Sequence, residues 1–182
     1  MRLLDGTNLA LIRGGRLLFE SLDLHLDAGE ALHVTGPNGC GKSSLLRLAA
    51  GLLRPSTGRI EHGGVALADE HLALDRELPL GRALAFWNGD TAGGMNAMGI
   101  GHLADVPVRL LSTGQARRAR LARVIGSQAS LWLLDEPLNG LDSDGADRLA
   151  TAIAAHRKAG GAVLAASHQP LASDWRQLEL GA

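Results

Sequence analysis

The apolar positions fall into short runs of two kinds. Ala31-Leu32-His33-Val34-Thr35, Leu131-Trp132-Leu133-Leu134 and Ala162-Val163-Leu164-Ala165-Ala166 are nearly unbroken. Such runs fit strands buried on both faces, hence a parallel sheet. Leu22-Asp23-Leu24-His25-Leu26 alternates strictly and reads as a half-buried strand. Leu9 to Arg13 predicts a short edge strand, and Gly14-Gly15 a hairpin turn after it. Arg59 to His62 is a short strand between the turn Ser56-Thr57-Gly58 and Gly63-Gly64. Leu45 to Ala49 reads as a helix stopped at Gly51, with Pro55 beyond. Leu78 to Trp87 predicts a helix with Leu80, Leu84 and Trp87 on one face. Leu67 to Asp75 fits more than one element. Asn88 to Gly101, with five glycines, reads as a loop or a badly formed helix. A helix follows Ser112, and another follows the turn Asn139 to Asp142, capped by Ser143 or Asp144.

Alternating strands and helices over 182 residues predict one α/β domain spanning 1–182. The net charge of −1 gives no general attraction to nucleic acid, so no nucleic-acid partner is expected. Cys40 is the sole cysteine, so no disulfide can form within the chain. No signal peptide is recognisable, and no run approaches the ~18 apolar residues that span a bilayer. The expectation is a soluble chain whose membrane role would come through another subunit.

The chemistry concentrates in Gly36-Pro37-Asn38-Gly39-Cys40-Gly41-Lys42-Ser43-Ser44, which has the spacing of a phosphate loop. Gly36, Gly39 and Gly41 remove Cβ atoms where backbone must wrap phosphate oxygens. The inward N–H groups form an anion nest, and the helix starting near Lys42 adds its positive end. Lys42 can reach the β- and γ-phosphates, Ser43 offers a hydroxyl to Mg²⁺, and Ser44 can bond the α-phosphate. Cys40 is a small filler. Lys42 and Lys158 are the only lysines, and one falls in the required slot.

Leu111-Ser112-Thr113-Gly114-Gln115 opens a helix carrying Arg117, Arg118, Arg120 and Arg123. Ser112 is a plausible N-cap and Gly114 leaves room for a ligand. Read alone, this is a capped helix with a solvated arginine face. The strand ending Asp135-Glu136-Pro137 places two carboxylates where ligands bind in open α/β sheets. Asp135 can hold Mg²⁺ through a water, and Glu136 can orient and deprotonate the water that attacks the γ-phosphate. His168 closes the strand 162–166 on the same edge, where it could bond the γ-phosphate or fix Glu136. The other six histidines have no metal-ligand spacing.

Taken in order, the phosphate loop, Leu-Ser-x-Gly-Gln, Asp-Glu-Pro, the Leu141-Asp142 turn and the strand-end His168 resemble the ATP-binding domain of ABC-type ATPases over nearly the whole chain. The resemblance implies a P-loop NTPase fold: a RecA-like, mostly parallel core, an antiparallel β subdomain, and a shortened helical subdomain at about 72–128. It implies ATP and Mg²⁺ as ligands. It also implies a head-to-tail dimer in which Lys42, Ser43, Asp135, Glu136 and His168 of one copy face Ser112, Gly114 and Gln115 of the other, with Asp142 at the seam. Phe86-Trp87, Asp105 to Val108, Leu131-Trp132 and His168-Gln169-Pro170-Leu171 resemble the ATP-binding subunits of the haem exporter of cytochrome c maturation. That family lies peripherally on the cytoplasmic face of the bacterial inner membrane, bound to integral membrane subunits. Alternatives are the ATPase of another small-solute transporter, a soluble ABC mechanoprotein and a catalytically poor regulatory module.

Three departures from the ABC pattern stand out. His71, beside Glu70, stands where a glutamine is usual. The segment from His71 to Leu111 is short, which reduces the surface expected to dock on a membrane partner. Many members stack an aromatic residue near position 12 or 13 on adenine, whereas Ile12 and Arg13 stand here. Arg13 could stack through its guanidinium but reads as a surface residue, and Phe19 reads as core.

Overall fold

The computed structural model describes residues 1–71 and 74–181, in two compact units. The first comprises residues 1–69, 129–137 and 156–181, and the second residues 70–128 and 138–155. The expectation for Leu67 to Asp75 falls partly on Leu72 and Ala73, outside the described residues.

The first unit holds two sheets. β1 (Arg2–Arg13), β2 (Arg16–Asp27) and β4 (Thr57–His62) form an antiparallel sheet of order β2-β1-β4. β3 (Ala31–Thr35), β5 (Val65–Ala68), β6 (Leu131–Asp135), β7 (Ala162–Ala166) and β8 (Arg176–Glu179) form a parallel sheet of order β5-β6-β7-β3-β8. Every residue of β6 and β7 is buried, as unbroken apolar runs require. α1 (Lys42–Ala49) packs on β6 and β7. Its Leu45, Leu46 and Leu48 join Leu4, Leu24 and Leu26 of the antiparallel sheet and Leu131, Leu133 and Leu164 of the parallel one in a single core.

β1 is neither short nor an edge. It runs twelve residues and lies between β2 and β4. Its alternation is hidden by a bulge between Gly6 and Leu9, where Asn8 takes φ 49 and its N–H donates to Asp23 Oδ1.

Trp132 on β6 stacks on His156 at 3.8 Å between centroids and 7° between planes. Burial pushes the His156 imidazole below its ordinary value of 6.5, against the raising effect of the Ala162 and Ser130 backbone. The unfolded chain therefore binds this proton first as pH falls, and folding stability from this site declines below about 6.5. We expect the melting temperature to fall between pH about 7.5 and 5.5, and His156→Phe to remove that part of the slope. Asp142, Asp144 and Asp174, held below 3.8, act in a separate, more acidic window.

The second unit contains α2 (Leu80–Ala85), α3 (Thr91–Ala97), α4 (Thr113–Ile125) and most of α5 (Ser143–Lys158). The segment 88–101 is better ordered than its glycines suggest. Asp90 caps α3 by accepting from the Gly93 N–H at 2.8 Å. At Gly94 any Cβ would overlap the Ala122 carbonyl oxygen, so the glycine lets α3 press onto α4. The helix predicted to Trp87 stops at Ala85, and Trp87 instead lies beneath the Arg123 guanidinium at 4.4 Å. Among the described residues no helix is long and apolar enough to cross a membrane.

Candidate nucleotide site

The loop between β3 and α1 turns on three glycines at φ 137, 78 and 114, namely Gly36, Gly39 and Gly41. Pro37, Asn38 and Cys40 fill the turns between them, and Cys40 is buried as a small filler should be. Gly41 is the N-cap of α1 and brings no side chain to the first-turn N–H groups, which suits an anion. Lys42 Nζ donates to the carbonyl oxygens of Gly36 at 2.7 Å and Pro37 at 3.0 Å. Its charge is thus folded onto the loop that would hold phosphate. Ser43 is exposed and Ser44 is buried.

Leu180, just past β8, braces the loop from behind, its N–H donating to Thr35 O at 2.9 Å. A Cβ on Gly36 would overlap the Leu180 carbonyl oxygen and approach Cys40 Sγ at 2.9 Å. Gly36→Ala also strains φ, and we expect a loss of about 3 kcal/mol in denaturant titrations, with nucleotide binding lost in the protein that still folds.

β7 lies between β6 and β3, so the segments after all three strands emerge at one edge of the sheet. Asp135 ends β6 and is buried. Glu136 sits at φ 47, uncommon for a non-glycine residue, with its N–H donating to Ala166 O at 2.8 Å. His168 meets this carboxylate twice. Its backbone N–H donates to Glu136 Oε2 at 3.3 Å, and its Nε2 lies 3.5 Å from Oε1. Of the two openings for His168, the structure contains the contact with Glu136. His33, by contrast, is buried with Nε2 at 3.0 Å from Ser167 O, a structural histidine.

Ser112, Gly114, Gln115 and Asp142 belong to the second unit. Ser112 caps α4 in a reciprocal box. Its Oγ accepts from the Gln115 N–H at 3.3 Å, and Gln115 Oε1 accepts from the Ser112 N–H at 2.9 Å. Gln115 is therefore engaged locally. Gly114 faces open space, with nothing within 4 Å of an added Cβ.

The arginines of α4 are not a solvated face. Arg120 is buried. Arg118 donates to Met98 O and Asp144 Oδ2, each at 2.9 Å, and pairs with Asp142 Oδ1. This hydrogen bond from Arg118 is the main cause holding the Asp142 carboxyl below the usual range. Asp142 Oδ1 also accepts from the Gly145 N–H at 3.0 Å, so Asp142, not Ser143 or Asp144, caps α5. Sequence reasoning missed this bracing because Arg118 and Asp142 are 24 residues apart and follow no local spacing. His71 is exposed in the second unit.

A phosphate loop after β3, an acid pair at the end of β6, a histidine after β7 and a helix opened by Leu-Ser-x-Gly-Gln define the class of ABC-type ATPase domains. The family profile described as ABC transporter matches residues 19–139. The chain is 58% identical over 187 residues to the cytochrome c biogenesis ATP-binding export protein CcmA of Sphingopyxis alaskensis, covering 98% of this chain and 95% of that protein. The protein of the same name from Novosphingobium aromaticivorans is 58% identical over 172 residues, covering 93% of this chain and 90% of that protein. The chain belongs to the ABC transporter family, in its group of CcmA ATP-binding proteins.

Among solved structures, a metal-chelate type ABC transporter in an inward-facing conformation matches at TM-score 0.84 and 26% identity, covering 98% of this chain and 79% of that one. An ABC transporter ATP-binding protein from Pyrococcus furiosus matches at 0.83 and 21%, over 97% and 96%, a likeness of fold. This chain is accordingly an ABC-type, ATP-binding ATPase.

Proposed function

We propose that the chain is the ATP-hydrolysing subunit of the haem exporter of cytochrome c maturation, working as a pair of copies against integral membrane subunits on the cytoplasmic face of the bacterial inner membrane. The observation that carries this reading is near-complete coverage, at 58% identity, of relatives named cytochrome c biogenesis ATP-binding export protein.

The mechanism starts from the folded-back Lys42. Its Nζ leaves the Gly36 and Pro37 carbonyl oxygens and turns to the β- and γ-phosphates, while the N–H groups of Gly39, Gly41 and the first turn of α1 hold the phosphate chain. Ser43 and Asp135 offer a hydroxyl and a carboxylate, the hard oxygen donors that Mg²⁺ takes together with nucleotide phosphates. Among the described residues no cluster of three or more His, Cys, Asp or Glu could cage a metal alone, so this site would be completed by the nucleotide. When bound, Mg²⁺ draws off the charge that develops on the β- and γ-phosphate oxygens.

Glu136 orients the attacking water and takes its proton, and His168 holds the Glu136 carboxylate in place. The open backbone at Gly114 and the capped helix start at Ser112 grip the γ-phosphate of the nucleotide on the other copy. ATP then joins the two copies, and hydrolysis releases them.

Affinity purification of the tagged chain from detergent-solubilised membranes tests the assignment. The expected partners are integral membrane subunits of cytochrome c maturation. Recovery with the permease of an unrelated solute would overturn it.

A further inference from the structure

His33 is a buried imidazole to which the mechanism above gives no task. It lies inside β3, paired to Ala165 of β7 on one side and Gln177 of β8 on the other, and is 5% exposed. A valine or leucine would fill the place without the cost of drying a polar ring. The position of its hydrogen bond gives the ring a use.

His33 Nε2 lies 3.0 Å from Ser167 O. A carbonyl oxygen only accepts, so Nε2 carries the proton and donates. Ser167 O and the His168 N–H are the two ends of one planar peptide group. That N–H donates to Glu136 Oε2 at 3.3 Å. The 167–168 peptide is thus gripped at its oxygen by His33 and holds the carboxylate with its hydrogen. Bonds in such a series polarise one another, so donation to the carbonyl makes the N–H a better donor.

The rest of the turn is fixed around the same peptide. The Ser167 N–H donates to Val34 O at 3.3 Å, and Ser167 Oγ accepts from the Gln169 N–H at 3.0 Å. Ser167 is 1% exposed, so water has little access to take the place of the imidazole. The other contact with the carboxylate, His168 Nε2 at 3.5 Å from Glu136 Oε1, comes from a side chain 48% exposed. The backbone contact is the one with a buried support. All of these residues belong to the first unit.

We propose that His33 is a positioning residue for hydrolysis: through the 167–168 peptide it fixes the orientation of the Glu136 carboxylate toward the attacking water. The inference rests on the role of Glu136 proposed above.

The test compares His33→Leu, which fills the space without a donor, with His33→Gln, whose amide N–H stands in for that of Nε2. Steady-state ATP turnover is measured in the complex recovered with the tagged chain, MgATP affinity by equilibrium binding, and the His168 amide resonance by NMR of the isotope-labelled chain. His33→Leu should lower kcat about 10- to 100-fold, the scale of a slightly misplaced catalytic group, and leave KM and MgATP affinity as in the wild type. Its His168 amide proton should move upfield as the bond to Glu136 slackens. His33→Gln should restore most of the turnover and the amide shift. A strand-packing role gives another pattern: His33→Leu would weaken MgATP binding along with turnover, because β3 feeds the phosphate loop, and Gln would not rescue it. That pattern overturns the proposal, and so does wild-type kcat in folded His33→Leu. If His33→Leu does not fold, His33→Met takes its place. Failure of both to fold makes His33 a folding residue and overturns the proposal as well. Failure of the underlying reading looks different: Glu136→Gln would turn over ATP at the wild-type rate.

Discussion

Lys42→Ala is expected to lose MgATP binding by at least about 100-fold. Lys42 Nζ sits on two loop carbonyl oxygens, within reach of the space the loop encloses. In the complex it exchanges those neutral acceptors for charged phosphate oxygens. Each charge-assisted bond is worth about 1.5–3 kcal/mol, and two of them set the size of the loss. Lys42 is also buried, so the truncated side chain leaves a gap that water fills poorly as a counter-charge. Folding should suffer little, since the hydrogen bonds of Nζ go to Gly36 and Pro37 of its own loop. Isothermal titration with MgATP gives the affinity, and circular dichroism reports the fold. Wild-type affinity in a folded variant would remove the loop from the mechanism.

Glu136→Gln is expected to keep MgATP binding and lose turnover by about 10²- to 10⁴-fold, the usual contribution of a general base. The amide is nearly isosteric. It can still accept from the His168 N–H, which now meets Glu136 Oε2 at 3.3 Å, but it cannot take a proton from water. The positive φ at position 136 is unchanged by the swap, so the strand-end geometry should persist. With hydrolysis stopped, the ATP-joined pair should accumulate, visible as a doubling of mass in light scattering with MgATP. Turnover near the wild type would move the base elsewhere. A variant that binds MgATP and stays single would count against the paired arrangement.

The parts of the molecule that were legible in sequence are those set by contiguous residues. The loop 36–44 announces itself because backbone conformation demands glycine at 36, 39 and 41 and chemistry demands Lys42 in one slot. β3, β6 and β7 are legible because strands buried on both faces carry no polar interruption save His33, whose ring is satisfied by Ser167 O. Asp135, Glu136 and His168 follow from where those strands end. Distant contacts were not legible. Gly94 looks like a helix breaker until the Ala122 carbonyl is seen to need its missing Cβ. Arg118 looks like surface charge until Asp142 and Asp144 arrive from the start of α5. β1 looks short because its bulge at Asn8 breaks the alternation on which strand reading depends.

Two defective chains mixed together test the central arrangement most directly. Lys42→Ala lacks the cradle but keeps Ser112, and Ser112→Arg lacks the clamp but keeps Lys42. Neither should turn over ATP alone. In an equal mixture, a mixed pair owns one complete site, made of one copy's cradle and the other's clamp. Turnover should then return, to roughly a quarter of the wild-type level if copies pair at random. A mixture no more active than its two components would mean that ATP is not held between two chains.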